Sequence, residues 1–255
     1  MNGAFYVGAI GLDAQQRALD VVANNIANIN TGGFKRSAVR FVDLVPPMRG
    51  ASGDPVAAAR RGDALAGAMI ASTPQIWTQG PLQQTGSSLD LAINGEGFIE
   101  VMGPAGRDVL WRGGTLQVNA DGYLAATDGT PLRAMISVPQ GTTALTIAPD
   151  GTVSGNANGT VEQLGHIDLV MSRAPETLVA DGNGYYEAAD PADLVTARPG
   201  EDGTGVLVQG SLEGSNVELA DEMTNLLLMQ RAFAANAQVV QAGDQMMSIV
   251  NQLRR

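Results

Sequence analysis

Residues 215–253, SNVELADEMTNLLLMQRAFAANAQVVQAGDQMMSIVNQL, run without a proline and carry apolar residues on two sides. Leu228, Ala232, Ala235, Val239, Ala242, Met246, Ile249 and Leu253 recur at alternating steps of four and three, the heptad signature of a helix packed lengthwise on another. A second line, Leu219, Met223, Leu226, Phe233, Ala237, Val240 and Met247, lies roughly 150° around the helix from the first. Thr224, Arg231, Gln238, Gln245 and Gln252 form a polar strip between them. Ser215 and Glu218 predict a capping box at the start. Asp221 and Glu222 stand near the positive end of the helix dipole, and Arg254 and Arg255 near the negative end. At about 1.5 Å per residue the helix would be a rod roughly 55 Å long. Two apolar sides call for two partners.

The N-terminal segment mirrors this pattern. A helix is predicted from Ala4 to about Asn28, with Phe5, Leu12, Leu19, Val22, Ile26 and Ile29 along one line. Small residues, Ala4, Val7, Gly11, Ala14, Ala18 and Val21, follow a second line that permits close approach of another helix. Asn24, Asn25, Asn28 and Asn30, then Thr31-Gly32-Gly33, mark the end, because they supply side-chain hydrogen bonds and positive-φ positions where the chain turns. Phe34, Lys35 and Arg36 follow at once. The terminal segments must meet if each is to bury a line, which makes everything between them an insertion.

A surplus remains, because the shorter helix cannot cover both faces of the longer. A bare second line would exceed the few hundred Å² of apolar patch that a monomer tolerates, so self-association is expected. The candidate assembly residues are therefore Phe5, Leu12, Leu19, Val22 and Ile26 of the first helix and Leu219, Met223, Leu226, Phe233, Val240 and Met247 of the second. Asn24, Asn25, Asn28, Phe34, Lys35 and Arg36 at the turn join them, either as intrachain caps or as contacts to the next subunit. The alternative is a single compact domain whose β-region covers the second line. In an isolated subunit the C-terminal stretch is expected to be poorly ordered.

With 255 residues, the chain can bury a sizeable core. Aromatics make up only 4% against 32 glycines, so that core must rely on Ala, Val, Leu, Ile and Met, with many turns. A net charge of −11 argues against nucleic acid as a partner, since no excess of cations exists to neutralise phosphates. The charge is uneven: residues 1–61 carry +3, which leaves −14 on the remainder. A head-to-tail assembly could use this asymmetry, and a solvated acidic surface explains it equally well. The chain has no cysteine, which rules out disulfides and thiolate sites. No apolar run is long enough to span a bilayer, and the N-terminus lacks the basic start and apolar segment of a signal peptide.

Between the terminal segments, 45–74 reads as an extended loop rich in Pro, Gly and Ala. From 75 to 209 short β-runs alternate with turn pairs. Candidate strands are Leu89–Ile93, Phe98–Met102, Leu116–Asn119, Ala144–Ala148, His166–Met171 and Gly205–Val208. Asp121-Gly122, Asp128-Gly129, Asp150-Gly151, Asp181-Gly182 and Asp202-Gly203 supply the positive φ of tight hairpins. The expected fold is α+β: N- and C-terminal helices paired as a coiled-coil-like assembly domain (1–44 and 210–255) around an inserted antiparallel β-domain (75–209).

Catalytic chemistry finds little foothold. His166 is the only histidine and sits among Leu164, Ile167 and Leu169, the setting of a structural histidine rather than of a triad or metal cluster. The Asp-Gly pairs lack the spacing of a calcium loop. Gly95-Glu96-Gly97 precedes strand-like residues where a dinucleotide fingerprint requires a helix. No cofactor and no metal are expected.

Asn24-Asn25-Ile26-Ala27-Asn28 with Thr31-Gly32-Gly33-Phe34-Lys35-Arg36 resembles the N-terminal signature of the bacterial flagellar rod and hook proteins. Thr78-Gln79-Gly80-Pro81-Leu82-Gln83-Gln84-Thr85, Leu89-Asp90-Leu91-Ala92-Ile93 and Gly95-Glu96-Gly97-Phe98 resemble the entry to that family's β-domain. Gln209-Gly210-Ser211-Leu212-Glu213-Gly214-Ser215-Asn216-Val217 and Gln230-Arg231-Ala232-Phe233 resemble its C-terminal signature. Within the family the likeness is greatest to distal-rod members. Proximal-rod members of similar length are the alternative, and the much longer hook protein fits poorly.

The resemblance implies a non-enzymatic subunit exported through the flagellar type III apparatus without a cleaved signal. It further implies many copies in helical array as a periplasmic drive shaft, with other rod proteins, the hook protein and surrounding ring proteins as neighbours. Neither nucleic acid nor membrane insertion is implied. Two readings from other classes stand beside it: a carbohydrate-binding β-module on a helical stalk, which predicts an exposed aromatic platform, and an enzyme acting on peptidoglycan, which predicts paired carboxylates in a cleft.

Overall fold

Helices form at both ends of the chain in the computed structural model, which describes residues 2–43, 68–103, 106–157, 159–182 and 184–253. Helix α1 spans Asn2–Ala27, so that Asn24 and Asn25 lie in its last turn and it stops just before Asn28. There Asn28 accepts two hydrogen bonds from Thr31, one at its carbonyl and one at its side-chain oxygen, both 3.1 Å, and Gly33 takes φ +69°. Helix α2 spans Leu219–Leu253, 35 residues, or about 52 Å of rod.

The start of α2 corrects the capping-box reading. Ser215 Oγ accepts from Val217 N–H at 3.3 Å, a local turn that competes with helix, and the first helical bond runs from Glu222 N–H to Glu218 O at 3.0 Å.

The chain divides into two compact units, one of Met1–Ala27, Ser37–Ile76 and Glu218–Arg255, the other of Asn28–Arg36 and Trp77–Val217. In the first unit, small residues let α1 and α2 approach closely. A Cβ placed on Gly8 would lie 2.6 Å from Val240 Cγ2, and one on Gly11 3.0 Å from Asn236 Nδ2. Ala14, Ala18 and Val22 of α1 are buried. The same unit holds an antiparallel ladder of Arg40–Asp43 with Ala68–Ser72, in which Phe41 stands opposite Ile70. Residues 68–72 therefore leave the expected loop and form a strand, because the apolar pair Met69-Ile70 finds Phe41-Val42 across the ladder. Of the expected loop, 45–67 lies outside the described residues.

The second unit is a β-body; the ladders between its described strands are antiparallel, and an isolated bridge of Glu96 with Thr204 is parallel. Six strands order as Val179–Gly182, Tyr185–Glu187, Asp108–Trp111, Phe98–Met102, Leu169–Ser172 and Leu194–Ala197. Four more order as Val206–Gln209, Asp90–Asn94, Gly113–Val118 and Leu124–Ala126, and three as Thr160–His166, Thr152–Ala157 and Thr142–Ile147. Ser211–Glu213 pairs with Leu82–Gln84. The run expected as one strand from His166 to Met171 is broken, since Ile167 N–H turns aside to Gly151 O at 2.8 Å and a new strand begins at Leu169.

Each Asp-Gly turn has its glycine at φ between +81° and +95°, a region that a side chain disfavours. The main apolar cluster gathers Leu91, Ile93, Ile99, Leu116, Leu124, Ile136, Ile167 and Leu207 among others. A second cluster joins Phe98, Leu110, Val170, Leu178 and Tyr186. Among the described residues no helix is long and apolar enough to cross a membrane.

Candidate functional site

The three signature segments of the sequence meet at one buried carboxylate. Glu213 lies in the short strand Ser211–Glu213. Its Oε1 accepts from Lys35 Nζ at 2.6 Å and from Gly80 N–H at 3.0 Å. Its Oε2 accepts from Arg112 Nε at 3.0 Å and Nη2 at 2.8 Å. The side chains of Lys35, Glu213 and Arg112 are 1%, 2% and 5% exposed, so this is an ion cluster inside the β-body rather than on its surface.

Both cations also reach backbone carbonyls, as burial of charge requires. Lys35 Nζ donates to Thr78 O at 2.9 Å, and Arg112 donates to Gly97 O at 2.6 Å and to Gly95 O at 3.1 Å. Two cations share one anion here. Burial, which outweighs the attraction of Glu213, holds the Lys35 ammonium below its usual range, and the neighbouring Arg112 charge pushes the same way. Lys35 is also the single lysine of the sequence; every other cation except the lone histidine is arginine.

Backbone contacts knit the same segments together. Gly33 N–H donates to Glu213 O at 2.8 Å. Asn216 Oδ1 accepts from Arg36 N–H at 2.7 Å while its Nδ2 donates to Thr78 O at 3.0 Å, so one amide bridges two segments. Tyr186 OH donates to Gly33 O at 3.2 Å; burial raises this phenol to about 12, and the Glu213 charge adds to the rise. The Tyr186 ring packs edge-on against Trp77 and Phe98 at centroid distances of 4.8 and 5.9 Å. Gly80 is glycine for a steric reason: any Cβ there would collide with the carbonyl oxygen of Gly214.

The first unit has its own polar node. Asn25, 1% exposed, donates from Nδ2 to Ser37 O and accepts at Oδ1 from Ser37 N–H, both at 2.9 Å, which reads the Ser37 backbone as a neighbouring strand would. Its Nδ2 also lies 3.3 Å from Glu222 Oε1, which ties α1 to the first turn of α2.

The candidate assembly residues distribute unevenly. Lys35 and Asn25 are buried within their own units, and Phe34 is half-buried, its carbonyl accepting from Asn216 N–H at 3.3 Å. Leu12, Leu19 and Ile26 are half-buried and Val22 is buried. Asn24 is exposed; Asn28 and Arg36 are half-buried and engaged by neighbours. On α2, Leu226, Phe233, Val240 and Met247 are half-buried, and Val240 meets Gly8 of the same chain. Leu219 and Met223 are exposed.

The bare side of α2 is instead the first heptad line. Leu228 at 60%, Val239 at 54%, Met246 at 58% and Ile249 at 55% exposure stand in solvent together with Leu227. Sequence reasoning identified both lines; apart from Leu219 and Met223 the second is the less exposed of the two in the folded chain.

It also missed Arg112 and assigned no role to Glu213, Thr78 or Gly80. The one signal available was a unique lysine within a chain of arginines. Arginine's planar fork suits a bidentate pair such as that of Arg112 with Glu213, whereas the ammonium is a compact point charge on a flexible stem.

No group of three or more His, Asp or Glu side chains among the described residues is placed to hold a metal. What the geometry of the described residues defines is a long helical element with an exposed apolar side, carried by a chain whose ionic cluster is spent on holding structure. That is the anatomy of an assembly subunit.

Comparison with known proteins gives the family. The model described as flagella basal body rod protein matches residues 5–35, that of the flagellar hook protein FlgE/F/G D1 domain matches 92–155, and that of the flagellar basal body rod FlgEFG protein C-terminal matches 208–253. The flagellar basal-body rod protein FlgG of Buchnera aphidicola is 36% identical over 99% of this chain and 100% of its own length. That of Borreliella burgdorferi is 33% identical over 100% of both chains. The rod protein FlgF of Caulobacter vibrioides is 32% identical over 94% of this chain and 93% of its own.

The chain belongs to the flagellar basal-body rod protein family, and it is a structural subunit of the basal body, not an enzyme. Within that family its full-length likeness is to the distal rod proteins named FlgG.

Proposed function

We propose that this subunit polymerises helically with copies of itself as the distal rod, the shaft that carries torque across the periplasm to the hook. α1 and α2 pair as a coiled-coil-like assembly domain, supported by the Gly8–Val240 and Gly11–Asn236 approaches. The observation that carries the reading is the exposed line Leu228, Val239, Met246 and Ile249, continued on the other side of the helix start by Leu219 and Met223. An apolar line of this length on a rod-like helix is satisfied by a neighbour, and a contact between non-identical faces propagates into an open helix instead of closing a ring. Neighbouring rod proteins, the hook protein, surrounding ring proteins and delivery by the type III apparatus without a cleaved signal belong to the same reading.

Val239→Asp tests it. Charge on the exposed line leaves the subunit folded by circular dichroism and abolishes sedimentable polymer and motility. Polymer at the wild-type level would overturn the assignment of this face. Val240→Asp is the less selective variant, because it also strikes the α1 contact. Imaging of basal bodies from a deletion strain completes the test: intact rods and hooks in its absence would refute the rod role.

A further inference from the structure

The hydrophobic core of the β-body and its ion cluster are built from different parts of the chain. Both apolar clusters draw their buried members from between Leu91 and Leu207, with only Trp77 joining the rim of the smaller one. Segment 28–36 contributes no side chain to either cluster. Hydrogen bonds anchor it within the body: Lys35 on Thr78 and Glu213, Gly33 on Glu213 and Tyr186, and Phe34 and Arg36 on Asn216. The body therefore has an apolar core of its own, in two clusters, onto which two segments 178 residues apart in sequence are docked through one carboxylate.

We propose that Glu213 is a latch on a separately folded body: segments 28–36 and 211–217 dock together and release together, while the core from Leu91 to Leu207 stays closed. The physical reason is charge. If residues 28–36 dock without Glu213, Lys35 and Arg112 become two buried cations with no anion, a state that burial penalises heavily. If Glu213 docks without Lys35, its Oε1 keeps only the Gly80 N–H. Neither segment is stable alone, so the two move as one cooperative unit. Apolar contacts, which dominate the global barrier, lie elsewhere, and the latch opens below the free energy of global unfolding. This device does not depend on how the subunit assembles.

The single lysine makes the test direct. The full-length chain is exposed to an amine-acylating reagent at sub-denaturing guanidinium concentrations, and the peptide carrying Lys35 is quantified by mass spectrometry. Amide hydrogen exchange of Leu91, Leu110 and Val170 is followed in parallel. The latch predicts an opening population from Lys35 acylation at least tenfold above that from the core amides. Glu213→Gln raises Lys35 acylation at least a further tenfold with core exchange unchanged.

Lys35 acylation that tracks core exchange in the wild type would overturn the proposal, because the latch and the core would then be one unit. Unchanged Lys35 protection in Glu213→Gln would overturn the role of the carboxylate. The wild-type comparison stands by itself if that variant does not fold.

Discussion

Gly8→Ala measures whether the two helices hold each other in the free subunit. Replacing glycine by alanine inside a helix gains about 1 kcal/mol from propensity alone. Against that, the new Cβ would stand 2.6 Å from Val240 Cγ2, well inside van der Waals contact. Val240 is β-branched and has one favoured rotamer in a helix, so it cannot swing away and the helices must separate. Overpacking of this kind costs about 1–3 kcal/mol, which offsets the propensity gain and leaves a net loss of about 0–2 kcal/mol.

Val240→Ala removes the obstructing methyl groups. The double variant Gly8→Ala/Val240→Ala should then be more stable than the sum of the single changes by the clash it relieves, about 1–3 kcal/mol. Gly11→Ala is the control, because its Cβ meets the end of the Asn236 side chain at 3.0 Å, which can rotate out of the way. Guanidinium titrations followed by the helical circular dichroism signal give all four values. If Gly8→Ala instead stabilises by its full propensity gain and the pair is additive, α1 and α2 are not in contact in the isolated subunit, and the expectation of a poorly ordered C-terminal segment returns.

Asn25→Ala leaves both backbone groups of Ser37 without their side-chain partner and removes a donor from Glu222; a loss of about 2–3 kcal/mol is expected from the denaturant midpoint. Asn25→Asp should be worse than Asn25→Ala, since it places a second carboxylate beside Glu222, and the reverse order would refute the assigned geometry. Alkaline pH separates two groups of the ion cluster. Lys35 is held below its ordinary 10.5, so the unfolded chain binds the extra proton and stability rises with pH through the window beneath 10.5. Tyr186 is raised from 10.0 to about 12, so the folded chain binds the extra proton and stability falls as pH climbs through that range. Lys35→Met should erase the rising limb in urea midpoints and keep the falling one; parallel profiles for wild type and variant would contradict the burial of this amine. At the surface, Arg107→Ala breaks a pair with Glu187 whose partners are 52% and 42% exposed, and the melting midpoint should move by less than a degree or two, as for a pair worth about 0–1 kcal/mol.

Periodicity was enough to find both helices, because a heptad line records which side of a helix is dry regardless of what dries it. The Asp-Gly turns were equally legible, since their requirement for positive φ is local and five of five show it. The strands Phe98–Met102 and Val206–Gln209 were found within a residue by the same short-range logic. Residues 68–72 were not, because a five-residue strand outside the alternating region declares itself only through its partner.

The candidate site divides along the same line. Asn25, Lys35 and Glu213 were all visible as members of signature segments, yet their roles depend on neighbours 12 to 197 positions away. Arg112 stood in no signature at all, and nothing short of the folded body brings its guanidinium to Glu213. By itself, the sequence determined the elements, the turns and the surplus of apolar surface on the C-terminal helix, all of which follow from local periodicity and backbone conformation. Only the tertiary structure decided which apolar line meets α1 and which faces outward. Both lines satisfy the same heptad rule, and the choice rests on the close approach that Gly8 and Gly11 allow to Val240 and Asn236.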